Sequence, residues 1–166
     1  MRIISLASGF PAVVNEKAAR VVAAAVVVMA VAAIATGWLW LTALLALGFA
    51  LRVASGPRID PLGRFAAHVV APRLGAPRPV AGSPKRFAQG IGLAFSGAAL
   101  LALVLGASTV AFVLLATLAL FAVLEAALGF CAGCRVYALL IRVGVVPDDS
   151  CVECADISLR ARNAAA

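Results

Sequence analysis

Phe87 to Leu124 reads F-A-Q-G-I-G-L-A-F-S-G-A-A-L-L-A-L-V-L-G-A-S-T-V-A-F-V-L-L-A-T-L-A-L-F-A-V-L, 38 residues without a charged side chain. One bilayer crossing takes roughly 20 apolar residues, so this run holds two helices of about 19. Gly106-Ala107-Ser108-Thr109 supplies the turn between them. Within the first helix, Gly92 and Ser96 lie four apart and would let a neighbouring helix approach closely.

A second charge-free run, Val21 to Leu51, has 31 residues and follows Lys17 and Arg20. It is long for one crossing and short for two, but basic side chains at its ends can reach the interface. The reading is two spans over about 17–35 and 38–55. They join at Thr36-Gly37, with Trp38 and Trp40 at the far interface, where tryptophan concentrates. Asn15 is a candidate cap for the first helix. Ala33-Ile34-Ala35 imitates a signal-cleavage site, but the apolar run resumes at Trp38, which favours an uncleaved helix.

Composition agrees with this class. Of 166 residues, 64% are hydrophobic and 13% charged, more apolar surface than a soluble domain of this size can bury. The net charge of +7 comes from residues flanking apolar runs, without interleaved aromatics, which argues against nucleic acid. Residues 52–86 hold Arg52, Arg58, Arg64, Arg73, Arg78, Lys85 and Arg86 against the single acid Asp60. The positive-inside rule keeps such a loop cytoplasmic, and with four spans both termini join it. The expected setting is the plasma membrane.

The fold class is therefore all-α integral membrane: two transmembrane hairpins, an interfacial loop helix and a C-terminal amphipathic helix. Its expected divisions are 1–16 (N-terminal segment), 17–55 (first hairpin), 56–86 (basic loop), 87–130 (second hairpin) and 131–166 (cysteine-containing tail). In the loop, Asp60-Pro61 is a cap followed by proline at the first helical position. Leu62, Phe65, Val69 and Val70 would share its apolar face, with Arg64 and the sole histidine, His68, turned away. The proline-rich P72-R-L-G-A-P-R-P that follows should be an extended connector.

Glu125 is the one acid near membrane depth in the second hairpin, where an unpaired carboxylate is costly. Arg52 lies fifteen residues beyond Gly37, and Glu125 sixteen beyond Thr109. The matching depth leaves two readings: Arg52 and Glu125 meet and set the register of the hairpins, or each reaches the headgroups separately. Proton exchange between Glu125 and a nearby thiol is the functional alternative.

All four cysteines follow, as Cys131-x-x-Cys134 and Cys151-x-x-Cys154, separated by sixteen residues. Between them, Arg135 to Val143 has helical periodicity, is too short to span, and ends at Gly144 and Pro147. Cys131 and Cys134 would open that helix, where the terminal amides and Arg135 favour a thiolate. Asp148, Asp149, Glu153 and Asp156 surround the second pair and disfavour one. The pattern fits thiol or sulfur exchange, with Cys131 and Cys134 as the reacting pair and Cys151 and Cys154 as a relay. The alternative is a four-thiolate zinc or iron site that staples the tail without turnover. A small transporter of a sulfur compound is a third reading, one that four short helices support only as a homo-oligomer. No phosphate-binding glycine loop, histidine-rich cluster or G-x-S-x-G elbow is present in the sequence.

Three blocks, D60-P-L-G-R, P84-K-R-F-A-Q-G-I-G and G129-F-C-A-G-C-R-V-Y-A-L-L, resemble the bacterial membrane family labelled domain of unknown function 4395. The last block is also similar to membrane segments attached to rhodanese-type sulfurtransferases. The first resemblance implies a multi-span membrane protein. The second implies persulfide or thiosulfate chemistry at Cys131, Cys134 and Tyr137, with a thioredoxin-like or rhodanese-like partner.

Overall fold

The computed structural model describes residues 10–147. Its frame is four antiparallel helices: α1 (Glu16–Thr36), α2 (Leu39–Ser55), α4 (Gly82–Val104) and α5 (Ser108–Leu128). All four are long and apolar enough to cross a membrane. The protein is an all-α, multi-pass membrane protein. Around the bundle the neighbours run α1, α2, α4, α5 and back to α1. Both hairpin turns lie at one end; the loop, the last helix and the cysteines lie at the other.

Lipid tails are as apolar as leucine, so these helices hold together by close packing rather than by escape from water. Their inner faces are accordingly small: Ala30, Ala99 and Ala111 are completely buried, with Leu45 and Leu115 filling the centre. Gly92 faces the Phe49 ring, where a Cβ would overlap it, so α2 and α4 close at this point. Ser96 returns its hydroxyl to the Gly92 carbonyl at 2.8 Å and exposes nothing. The expected small-residue approach is thus made against Phe49. At the far end Trp38 and Trp40 are both exposed, with ring centroids 5.6 Å apart.

The helix caps follow local chemistry. Asn15 accepts the Lys17 N–H at 3.0 Å and opens α1, and Gly37 ends it in the left-handed region with φ 67°. Asn15 also accepts the Arg78 N–H at 3.3 Å, because β1 (Val13–Asn15) pairs antiparallel with β2 (Pro79–Ala81). This short ribbon is absent from the sequence reading, which leaves both segments extended or irregular. Gly82 follows it with no room for a side chain: a Cβ would overlap the Pro11 carbonyl, whose neighbour Ala12 accepts the Gly82 N–H at 2.6 Å.

The loop helix α3 (Pro61–Phe65) is capped by Asp60, which accepts the Gly63 N–H at 2.7 Å. It continues through a π turn (Ala66–Val70) and a 3-10 turn (Ala71–Leu74). Arg64 and His68 are exposed and Val69 and Val70 half-buried, as expected, but the fully buried positions are different ones. Ala66 and Ala71 are fully buried and Leu62 packs on the core, while Phe65 is exposed. The π turn widens the helix and offsets the heptad, and small residues let the loop lie directly on α1.

The proposed Arg52–Glu125 contact is not made. Arg52 donates to Asp60 at 3.1 Å and to Gln89 at 3.0 Å, and its guanidinium stacks 4.6 Å from the Phe49 ring centre. Glu125 pairs instead with Lys85. The two residues cannot meet because α2 and α5 sit on opposite corners of the bundle. The Lys85–Glu125 pair also explains the bounds of the second hairpin. With both charges neutralised inside the bundle, α4 starts at Gly82 and α5 runs to Leu128, beyond the charge-free stretch at each end.

Arg52→Met should destabilise the protein by about 3–5 kcal/mol, since it leaves the Asp60 carboxylate buried without its charge partner. Thermal unfolding in detergent reads this. A double-mutant cycle should give coupling with Asp60→Asn and none with Glu125→Gln; the reverse pattern would refute the observed pairing.

Candidate functional site

The site is built at the turn after α5. Gly129 adopts φ 68° and donates to Glu125 O at 3.0 Å, while Phe130 donates to Leu124 O at 3.2 Å. These bonds satisfy the terminal carbonyls of α5 and reverse the chain. Two carbonyls nearby, Ala126 and Ala127, are held by the Arg20 guanidinium at 3.0 and 2.8 Å. A cation here opposes the negative end of the helix and ties the start of α1 to the end of α5.

After the turn, Cys131 is extended (φ −94°, ψ 104°) and caps α6 (Ala132–Arg142). The expected helix starting at Arg135 therefore begins three residues earlier, with the C-x-x-C at its first turn. Gly133 allows α6 to rest on α4: a Cβ there would stand 2.6 Å from that of Ala88. One turn on, Tyr137 is buried against Phe87, ring centres 5.4 Å apart. Gly133, between the cysteines, and Tyr137 thus seat the dithiol on the bundle.

Cys131 and Cys134 are both half-buried free thiols. They face a cleft of about 640 Å³ whose wall includes Glu16, Lys85, Phe130, Arg135 and Tyr137. The Cys134 thiol donates toward the Cys131 sulfur, and this contact is the main reason that the Cys131 pKa lies below the ordinary thiol value; the Lys85 ammonium adds to it, against burial and Glu125. Cys134 is pushed up, first because its proton is engaged by Cys131 and then by burial. The two sulfurs are thus in unlike surroundings, Cys131 favoured as thiolate and Cys134 as thiol.

The cation that the sequence reading assigned to this role is Arg135. Its guanidinium instead lies 5.5 Å from the Phe130 ring centre, on the cleft wall. Lys85 is the residue missed. It reads as one more flanking basic residue of the loop, whereas it is only 7% exposed, inside α4 and bound to Glu125. Glu125 does reach the thiols electrostatically, though through a pair with Lys85 and not as an isolated acid. Arg52 belongs to the loop network with Asp60 and Gln89.

Cys151 and Cys154 lie outside the described residues, and with them the relay and the four-cysteine metal site. Among the described residues, no three His, Cys, Asp or Glu side chains assemble as a ligand set.

Fold and site together define a multi-pass helical membrane protein that carries a helix-opening dithiol at one end of its bundle. Residues 14–142 match the family described as Domain of unknown function (DUF4395), and the chain belongs to that family. The matched region contains Cys131, Cys134 and all of α6, and stops before Cys151. No curated protein and no solved structure matches the chain.

Alkylation across a pH series checks the two thiols. The Cys131 rate should rise through a midpoint below that of an ordinary thiol, with Cys134 reacting only at higher pH. Lys85→Met should move the Cys131 midpoint up, because a neighbouring cation is lost, and Glu125→Gln should move it down. Equal midpoints for both cysteines, unmoved by either substitution, would contradict the assignment.

Proposed function

We propose that the protein exchanges thiols or sulfur at one face of the membrane, with Cys131 as nucleophile and Cys134 as resolving thiol. The observation that supports this most is the placement of two unjoined thiols on the first turn of α6, in an open cleft beside Lys85. A soluble thioredoxin-like or rhodanese-like protein is the partner that fits. The cleft is large enough to admit the exposed cysteine of such a protein with its flanking backbone.

With a disulfide partner, the Cys131 thiolate attacks one partner sulfur, forms a mixed disulfide and releases the other partner sulfur as thiolate. Cys134 loses its proton to water and attacks the Cys131 sulfur. The second partner thiolate leaves and the Cys131–Cys134 disulfide forms. Two electrons have passed from the protein dithiol to the partner. With a persulfide partner, Cys131 takes the terminal sulfur, the partner leaves as thiolate, and attack by Cys134 releases hydrosulfide. In both routes Cys151 and Cys154 would serve as a relay that restores the dithiol.

The excess of basic residues in the loop supports a cytoplasmic cysteine end and cytoplasmic termini, in a bacterial inner membrane. That side is kept reducing, which favours a cycling dithiol over a permanent disulfide.

Removing the resolving thiol should trap the intermediate. Full-length Cys134→Ser, mixed with an oxidised thioredoxin-like protein, should accumulate a mixed disulfide at Cys131 that dithiothreitol releases. Cys131→Ser should accumulate none. Trapping that is equal in both variants, or absent from both, would sink the proposal.

A further inference from the structure

A second cavity of about 200 Å³ lies inside the bundle, on the opposite side of Cys131 from the cleft. Its wall is apolar apart from Gln89, Glu125 and Cys131, with Val22, Phe95 and Phe121 among the side chains that define it. Among the described residues, Cys131 is the one that lines both the cleft and this cavity. Glu125 borders the cavity and Lys85 the cleft, so their ion pair completes the partition. Cys134 lines the cleft and not the cavity.

Two further features identify what would enter. Phe121 is 42% exposed on the bundle surface while forming part of the cavity wall, so the cavity has a side toward the acyl chains. Gln89 has its carbonyl end held by Arg52 at 3.0 Å, which leaves its amide N–H₂ as the donor end. A donor in an apolar cavity suits a ligand carbonyl. The volume is below the roughly 300–1,000 Å³ of sites for drug-sized molecules, so it takes a ring and leaves an apolar tail in the bilayer.

We infer that this cavity is the site of a lipid-soluble quinone, which exchanges two electrons with the Cys131–Cys134 dithiol. The inference rests on the thiol-exchange reading above and names a second reaction partner for the same cysteine. The Cys131 thiolate adds to a ring carbon, and the displaced electron pair moves to a ring oxygen. Deprotonated Cys134 attacks the Cys131 sulfur, the S–S bond forms and the S–C bond breaks. Its electron pair passes through the ring to the second oxygen. The two protons given up by the thiols balance the two taken up by the ring oxygens, so dithiol and quinone become disulfide and hydroquinone. Cys131 then joins a soluble thiol couple in the cleft to a membrane-borne couple in the cavity.

The test uses the reduced full-length protein in nanodiscs with decylubiquinone, following hydroquinone absorbance and free thiols together. Wild type should form hydroquinone and the Cys131–Cys134 disulfide in equal amounts, and Cys131→Ser neither. Ala122→Phe, which fills the cavity, should slow quinone reduction at least tenfold and leave mixed-disulfide trapping in the cleft intact when combined with Cys134→Ser. If trapping succeeds but decylubiquinone leaves the thiols reduced, or oxidises wild type and Ala122→Phe equally fast, the quinone site is wrong and the exchange reading survives. If trapping itself fails, the fault lies with the exchange reading. Should Ala122→Phe not fold, a photoreactive decylubiquinone decides with wild type alone. Labelling at Phe121, Ala122 or Val136 supports the site, and labelling confined to other residues overturns it.

Discussion

The Lys85–Glu125 ion pair is the constraint around which the cysteine end is arranged. Each charge alone would be expensive at this depth, and each would push its helix to end early. Paired, they let α4 and α5 extend past the apolar layer and fix those helices to each other. The extension of α5 places Gly129, and therefore Cys131, directly over the end of the bundle. The extension of α4 brings Ala88 and Phe87 under α6, as the bed on which Gly133 and Tyr137 rest. The same ammonium lies close enough to the thiols to favour a thiolate at Cys131. Packing, capping and sulfur chemistry are thus coupled through one contact.

Much of this frame is legible from residue order alone. Charge-free runs have no other solution in a bilayer than helices, because every backbone polar group must be satisfied within its segment. The turns at Gly37 and Gly106 and the caps at Asn15 and Asp60 are local, so sequence carries them. The C-x-x-C at a helix start is local too. What escapes is long-range and azimuthal. The ribbon joins residues more than sixty positions apart through three pairs, with no alternation long enough to register. Arg52 and Glu125 were matched by depth, which counting residues can supply. Which helix neighbours which depends on the packing of all four, and that placed Asp60 beside Arg52 and Lys85 beside Glu125. The loop helix shows the same limit: a π turn rotates its buried face, and no residue count anticipates one.

The three sequence blocks that resemble the family gather at this end of the molecule. Asp60 and Gly63 hold the loop, Lys85 and Gln89 link α4 to α5 and α2, and Gly129, Cys131 and Gly133 shape the dithiol. Among the described residues, the opposite end carries the two hairpin turns and the exposed Trp38 and Trp40. The two free thiols and both ion pairs found among the described residues lie at the cysteine end of the bundle.

The proposed function requires Cys131 and Cys134 to cycle between dithiol and disulfide. The most direct measurement is a redox titration of the full-length protein in glutathione buffers of graded ratio, with mass spectrometry assigning every cysteine linkage. The predicted result is one two-electron transition that joins Cys131 to Cys134 and reverses on reduction. Thiols at these two positions that stay reduced across the whole series, or that pair only with Cys151 or Cys154, would contradict it.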